Sequence, residues 1–196
     1  MRYYPLFADL TGRRCLVIGG GRVAQRKVTA LLRYGARVTV VSPVLTRRLA
    51  AEARTGVIHH LARRFLAQDL RGVWLVYAAT DDARINRQVF REATRCRIFA
   101  NVVDEPSLCS FIAPAIVTRG GLTVAVSTGG GSPTVAKRVR DDVARVIGPD
   151  YARLLGLLRS LRRAAKRRLP GSATRRRYFD ELARGRVFAL IRSGKT

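Results

Sequence analysis

The stretch VIGGGRVAQRK, residues 17–27, restricts the fold more than any other part of the chain. An apolar strand runs into three glycines and then into a helical pattern. Gly19-x-Gly21-x-x-Ala24 fits the glycine fingerprint of dinucleotide-binding folds, in the place that fingerprint requires. Gly19 permits a tight turn, Gly21 lets the backbone approach a pyrophosphate, and Ala24 lets the helix pack close to the sheet. The helix N-terminus presents N–H groups and a partial positive charge to the phosphates. The alternative role for these glycines is a turn needed only for helix–strand packing.

The surrounding pattern predicts an α/β fold. RCLVIGG reads as a strand and RVAQRKVTALLRYG as a helix stopped by Gly35. ARVTVVS is a second strand, and Pro43 precedes a helical stretch around TRRLAAEART. GVIHHL, VWLVYAAT and RIFANVV are further strands; the middle one is nearly all apolar, as a buried parallel strand should be. DDARINRQVFREATR is expected to be a helix with an acidic first turn. The βαβ alternation argues for an open, mostly parallel, doubly wound sheet. After about Phe111 the pattern changes. PAIVTRGGLTVAVSTGG predicts two strands joined at Arg119-Gly120-Gly121. SPTVAKRVRDDVARVIG predicts a helix with Ser132 as N-cap and Pro133 at its first position, ended by Gly148-Pro149. The tail from Asp150 is expected to be helical and basic, broken by PGSAT.

Charge and cysteines bound the rest. The formal net charge is +25, with 34 arginines among 38 basic residues. From Tyr151 to Thr196 there are fourteen Arg and Lys against two acids, Asp180 and Glu181. Such a surface attracts polyanions: nucleic acid, acidic membranes, or a substrate with many carboxylates. A compositional preference for arginine over lysine explains part of the surplus equally well. No apolar run approaches the roughly 20 residues that span a membrane, and MRYYPLFADL contains no signal-peptide core. A cytoplasmic protein is expected. Cys15, Cys96 and Cys109 are scattered and form no CxxC, so reduced core thiols are expected.

The acid that usually grips the adenosine ribose about 20 residues past the loop is missing: Val41, Ser42 and Pro43 stand there. Ser42 can hydrogen-bond a ribose hydroxyl but supplies no charge. Arg47 and Arg48 follow and suit a 2′-phosphate, so these residues leave NAD and NADP open. Thr80, after the fourth strand, is a candidate cofactor contact or a helix N-cap. Asn101 and Asp104 fall at the C-terminal end of the fifth strand, where such sheets place their crevice. Asp104 is a candidate general base there, or a turn residue. VSTGGGSP, 126–133, is a second glycine-rich loop before a helix and a second potential anion site. His59 and His60 face opposite ways along a strand and lack metal-ligand spacing, so they read as ordinary strand residues.

Three segments together resemble the precorrin-2 dehydrogenases of siroheme synthesis, including the N-terminal module of siroheme synthases. They are YPLFADLTGRRCLVIGGGRVAQRKVTALLRYGARVTVVSP, AATDDARINRQV and IFANVVDEPSLCSFIAPAIVTRGGLTVAVSTGGGSPTVAKRVR, spanning roughly residues 3 to 145. The resemblance implies an NAD-binding Rossmann domain over 1–112, a dimerisation region over 113–148 and a basic helical C-terminal domain over 149–196. It implies NAD as cofactor despite the missing acid, held by Gly19, Gly21, Arg22, Val23, Ala24, Ser42, Pro43, Val44 and Thr80. It makes Asp104 the catalytic residue, with Asn101, Ser127, Thr128 and Gly129 as substrate-binding candidates and no protein-held metal. Some members are phosphorylated on a serine where Thr128 stands here. The implied reaction is NAD-dependent dehydrogenation of precorrin-2 to sirohydrochlorin, in an intertwined homodimer. Insertion of Fe²⁺ into the product is the second activity of bifunctional members, and no motif separates the two cases. A carboxylate-rich tetrapyrrole suits an arginine-rich cleft. The methyltransferase of trifunctional synthases is expected to reside elsewhere, and no membrane or specific nucleic-acid partner is expected.

Two other classes compete. A non-enzymatic nucleotide-sensing Rossmann module with a nucleic-acid-binding tail is favoured by the tail arginines, but residues 151–196 offer few aromatics to stack on bases. An NADP-dependent reductase of a small substrate lacks a Ser/Tyr/Lys set.

Overall fold

The computed structural model describes residues 3–194. They divide into two compact units, one ending at Ile112 and one beginning at Ala113.

In the first unit β1 (Arg14–Ile18) leads through the glycine turn into α1 (Arg22–Arg33). β2 (Arg37–Val41) and α2 (Arg47–Arg54) follow, then β3 (His59–Leu61), β4 (Leu75–Ala78), α3 (Ala83–Arg95) and β5 (Phe99–Val102). All five strands are parallel, in the order β3-β2-β1-β4-β5. The chain starts at the centre, winds to one edge, then returns to fill the other. This order creates a crevice at the C-terminal ends of β1 and β4, where the winding reverses.

The pleat sorts the core into two layers. Cys15, Val17, Val38, Val40 and Tyr77 face α1 and α2, meeting Ala24, Val28, Leu31 and Leu49. Leu16, Ile18, Val76, Ala78, Ala100 and Val102 form the other layer with Val89 and Ala93 of α3 and Leu70 of the short 3-10 turn Ala67–Leu70. Each central strand is therefore apolar on both sides, which explains the continuous hydrophobic runs. α1 ends as expected, with the Gly35 N–H donating to the Leu32 carbonyl.

Three expectations are corrected in this unit and its neighbour. α3 has no acidic first turn: Asp82 is its N-cap, accepting from the N–H groups of Arg84 and Ile85. A short carboxylate serves the unsatisfied N–H groups better from the cap than from inside the turn. Cys96 is exposed at the C-cap of α3, whereas Cys15 and Cys109 are buried. In the tail the break is narrower than PGSAT, because Ser172 already opens a helix; a second break, at Gly185, was not signalled.

The second unit begins with an antiparallel hairpin, β6 (Ala115–Arg119) and β7 (Leu122–Val126), turning at Gly120-Gly121. α4 (Pro133–Val146) starts at Ser132, whose side chain accepts from the Val135 N–H. Arg119 closes its other end, donating from Nε to the Ile147 carbonyl (3.0 Å) and from Nη2 to the Ala144 carbonyl (3.1 Å). α5 (Asp150–Arg168), α6 (Ser172–Arg184) and α7 (Arg186–Arg192) contact one another; Leu154, Ala165 and Ile191 are buried, and Tyr151 and Phe188 form an edge-to-face pair between α5 and α7. No helix among the described residues is long and apolar enough to cross a membrane.

Candidate functional site: a dinucleotide cleft and the β5 loop

A cleft of about 620 Å³ opens at the C-terminal ends of β1, β2 and β4. Its floor is the glycine turn, and the three glycines do different work. Gly19 has φ +115° and lies against the Ala79 carbonyl, so a Cβ there meets backbone. Gly20 is pressed against the Val44 carbonyl and the Ser42 hydroxyl. Gly21 has φ −82° and nothing within 4 Å of a Cβ: its missing side chain leaves space inside the cleft. Gly21 is also the N-cap of α1, which has no side-chain cap, so the amides of the first turn await an acceptor from outside the helix. A pyrophosphate is such an acceptor. The donor set and the open space fit a dinucleotide.

The other expected cofactor residues gather around this floor. Arg22, Val23, Ser42, Pro43, Val44 and Thr80 line the cleft. Ala24 lies beneath it, fully buried against the sheet. Ser42 is buried, and its hydroxyl donates to the Val44 carbonyl at 2.7 Å, which fixes the turn after β2. Thr80 does not cap α3. Its hydroxyl contacts the Asn86 side chain at 2.9 Å and accepts from the Asp82 N–H, tying the β4 end to α3. His60 is in the strand as expected, with Nε2 2.9 Å from the Ser42 carbonyl.

The sequence did not signal the far wall. Arg63 donates from Nη1 and Nη2 to the Asp69 carboxylate at 2.9 and 2.6 Å, and Asp69 also accepts from the Leu66 N–H. Burial alone raises the Asp69 pKa; the hydrogen bonds from Arg63 and Leu66 outweigh it and hold the carboxyl below its ordinary value. The pair fixes a guanidinium on the cleft wall beside Arg64 and Phe65. Six residues apart in a loop, Arg63 and Asp69 follow no helical or strand spacing that a sequence reader tests.

Asp104 sits past the end of β5, exposed, with φ +62°. Aspartate is among the few residues that tolerate this left-handed region. The loop is pinned on both sides. Asn101 and Cys109 form an isolated antiparallel bridge, Ser110 N–H donates to the Ala100 carbonyl, and Ala100 N–H donates to Ser110 Oγ at 2.8 Å. The Cys109 thiol donates to the carbonyls of Val102 and Glu105. Asn101 is buried, and its amide donates to the Phe111 carbonyl at 3.0 Å, so the expected substrate contact is committed to holding the loop. Lys27 of α1 approaches from the other side, its ammonium 4.7 Å from the centre of the Tyr77 ring. Burial, then Arg26, lowers its pKa; Asp104 and Cys109 oppose that shift. Asp104 is not among the residues lining the dinucleotide cleft.

The β7–α4 loop closes on itself. Thr128 Oγ1 accepts from the Ser132 N–H and contacts the Ser132 carbonyl, both at 3.0 Å, and Gly129 N–H donates to Ser127 Oγ. Ser127, Thr128 and Gly129 are exposed. The described residues contain no group of three or more His, Cys, Asp or Glu placed to hold a metal ion.

Residues 6–115 match the family model for putative NAD(P)-binding. Residues 119–145 match that for the sirohaem biosynthesis protein central region, and 150–196 that for the sirohaem synthase dimerisation region. The chain belongs to the family of NAD(P)-binding proteins that carry the sirohaem synthase central and dimerisation regions. The siroheme synthase of Thioalkalivibrio sulfidiphilus is 45% identical over 195 residues, covering all of this chain and 40% of the relative. Siroheme synthase 1 of Serratia proteamaculans is 41% identical over 196 residues, covering 41% of that protein. The chain thus spans about two fifths of the length of these relatives. Among solved structures, SirC, a precorrin-2 dehydrogenase, matches with a TM-score of 0.80 and 26% identity over 95% of this chain and 92% of that one. Within this family the cofactor of the cleft is NAD.

Proposed function

We propose that this chain dehydrogenates precorrin-2 to sirohydrochlorin with NAD⁺ as oxidant. The observation that carries this reading is the open floor at Gly21 under an uncapped α1, in a chain that aligns over nearly its whole length with a precorrin-2 dehydrogenase structure. The cofactor residues are Gly19, Gly21, Arg22, Val23, Ala24, Ser42, Pro43, Val44 and Thr80; the presence of all but the buried Ala24 in the lining of the cleft supports this. Bound NAD⁺ supplies the hydride acceptor. First-turn amides of α1 would hold its pyrophosphate, and Gly21 would permit the close approach.

Asp104 is the general base. Dehydrogenation of the macrocycle would remove a hydride, for which bound NAD⁺ is the acceptor, and a proton, which the Asp104 carboxylate would accept. The Asn101–Phe111 and Ala100–Ser110 hydrogen bonds hold the loop so that Asp104 stays outside regular structure. Lys27 adds positive charge near Asp104, where it favours a carboxylate-rich substrate. Ser127, Thr128 and Gly129 contact the substrate through their exposed loop. Fe²⁺ is a second substrate if the chain also metallates its product. The working form is a cytoplasmic homodimer. The dimerisation-region match supports this, as do Val135, Val139 and Val146, which lie exposed along one stripe of α4.

The test is an anaerobic assay with precorrin-2 and NAD⁺, following NADH, with Fe²⁺ or Co²⁺ added to the product. NADH formation with metal insertion above the uncatalysed rate makes the protein bifunctional; NADH alone makes it a dehydrogenase. Absence of NADH with either nicotinamide cofactor overturns the proposal.

A further inference from the structure

We infer that Lys27 is a positioning residue for Asp104: its ammonium, fixed over the Tyr77 ring, draws the exposed carboxylate towards α1 and narrows the orientations from which it takes a proton. The inference rests on the reading of Asp104 as the general base. The placement of Lys27 begins with its helix. Ala24, Val28 and Leu31 form the buried stripe of α1. At about 100° per residue, Lys27 lies on one flank of that stripe and Gln25 on the other. Gln25 meets Thr46 at the cap of α2. Lys27 leans the opposite way, over β4, and its ammonium stands 4.7 Å from the centre of the Tyr77 ring.

Tyr77 ties this ammonium to the loop after β5. It pairs with Asn101 in the parallel register of β4 and β5, and its ring meets Phe111 edge-on at 5.3 Å. The Asn101 amide in turn donates to the Phe111 carbonyl. Asp104 follows three residues after Asn101, on the loop that the Cys109 thiol braces through the Val102 and Glu105 carbonyls. Groups on both sides act on the lysine charge: Arg26 on its own helix, and Asp104 and Cys109 on the loop. Lys27 is half-buried, yet neither it nor Asp104 makes an ion pair among the described residues. Burial disfavours an ammonium, and the ring face offsets only part of that penalty. An uncharged side chain of the same length would avoid it, which points to a use for the charge. The exposed carboxylate supplies one: a base without an ion pair gains from a cation whose own position is fixed.

A double-mutant cycle on the full chain, with precorrin-2 and NAD⁺ at fixed ionic strength, separates action through Asp104 from action on the substrate. Lys27→Met keeps the stem and removes the charge; Lys27→Gln repeats the cycle if the Met variant melts early. Lys27→Met should lower kcat about 10- to 100-fold. NAD affinity should stay within about twofold, and the KM for precorrin-2 should rise no more than about threefold, since Lys27 is one cation among many around a carboxylate-rich substrate. Lys27→Arg keeps a cation for the ring and should retain kcat within about threefold. Placed on top of Asp104→Asn, Lys27→Met should lower kcat less than about twofold further, because a residue that acts through Asp104 then has nothing left to act on. Wild-type kcat in Lys27→Met overturns the inference. So do additive losses in the double variant or a large KM rise with kcat intact, either of which puts Lys27 on the substrate, and so do equal losses in Lys27→Met and Lys27→Arg, which make it a packing residue. In all these cases a low kcat in Asp104→Asn alone leaves the base standing. Wild-type turnover in Asp104→Asn overturns the base reading itself, and the role of Lys27 with it.

Discussion

Replacing Gly21 by alanine isolates the contribution of the cleft floor. Gly21 adopts φ −82° and ψ −173°, a conformation open to any L residue, and an added Cβ meets nothing within 4 Å. As an N-cap, glycine exceeds alanine by about 0.5–1 kcal/mol. The reduced freedom of the unfolded chain returns about 0.4–1 kcal/mol. The two nearly cancel, so the midpoint of thermal unfolding should move by less than about 2 °C. The methyl group nonetheless occupies the space over which a pyrophosphate meets the α1 amides. Losing one charge-assisted hydrogen bond, about 1.5–3 kcal/mol, weakens NAD roughly 10- to 100-fold. Gly20→Ala should do the reverse. Its Cβ runs into the Val44 carbonyl and lies 2.8 Å from Ser42 Oγ, neither of which is a flexible chain end. Stability should fall by about 1–3 kcal/mol. Circular dichroism melts and NAD titrations at one salt concentration read both variants. Wild-type NAD affinity in a normally folded Gly21→Ala protein would refute the placement of the pyrophosphate. An unchanged melt for Gly20→Ala would refute the division between the two glycines.

Other perturbations separate roles in the same way. Asp104→Asn keeps a residue that tolerates φ +62°, so the fold and NAD affinity should persist while turnover falls by about 10²–10⁴. Parallel loss of all three would make Asp104 structural. Arg63→Ala leaves the Asp69 carboxylate, 3% exposed, without its partner. Because the native Asp69 pKa lies below its unfolded value, the pair stabilises the fold above the ordinary carboxyl range and less as pH falls through the native value. The variant should therefore lose about 1–3 kcal/mol near neutral pH and show a flatter acid limb in denaturation. The Cys15 thiol is pushed by burial up to about 11 from an ordinary 9.0. The native state then holds its proton more tightly, so stability from this group is full below about 9 and declines up to about 11, by at most about 3 kcal/mol in total. An alkylating reagent at pH 8 should modify exposed Cys96 first and leave Cys15 intact; rapid loss of both thiols would contradict the burial.

The sheet and the cleft floor were legible because the forces that make them leave periodic or positional marks. A strand buried on both faces must be apolar throughout, and LVYA and LVI are. A backbone that must turn tightly under a helix N-terminus needs glycine. The sequence could not rank the glycines: GGG reads alike at each position, and it is the Val44 carbonyl and the Ser42 hydroxyl that distinguish Gly20 from Gly21. Side chains acting through backbone carbonyls were illegible for a similar reason. Asn101 carries the composition of a substrate contact, yet its amide donates to Phe111, ten residues on. Nothing local records that pairing. The Arg63–Asp69 pair and the Arg119 cap on α4 likewise join residues by loop geometry rather than by period.

These hidden contacts share a location: they fix the turns at the C-terminal ends of the strands. Ser42 holds the turn after β2, Thr80 the one after β4, and Asn101 with Ser110 the one after β5. Each uses a small polar side chain at the sheet edge, buried at Ser42 and Asn101 and half-buried at Thr80, where a net hydrogen bond contributes about 1 kcal/mol. That sum is modest for stability but sets where Val44, Asp82 and Asp104 stand. A single replacement, Asn101→Ala, therefore tests whether the site depends on the turns. Leaving the Phe111 carbonyl without its donor should cost about 1–3 kcal/mol, little of it felt at the glycine floor. NAD affinity should stay near wild type, and kcat should fall because the Asp104 loop is no longer held. Wild-type kcat in that variant would show that the loop keeps its geometry through Cys109 and Ser110 alone.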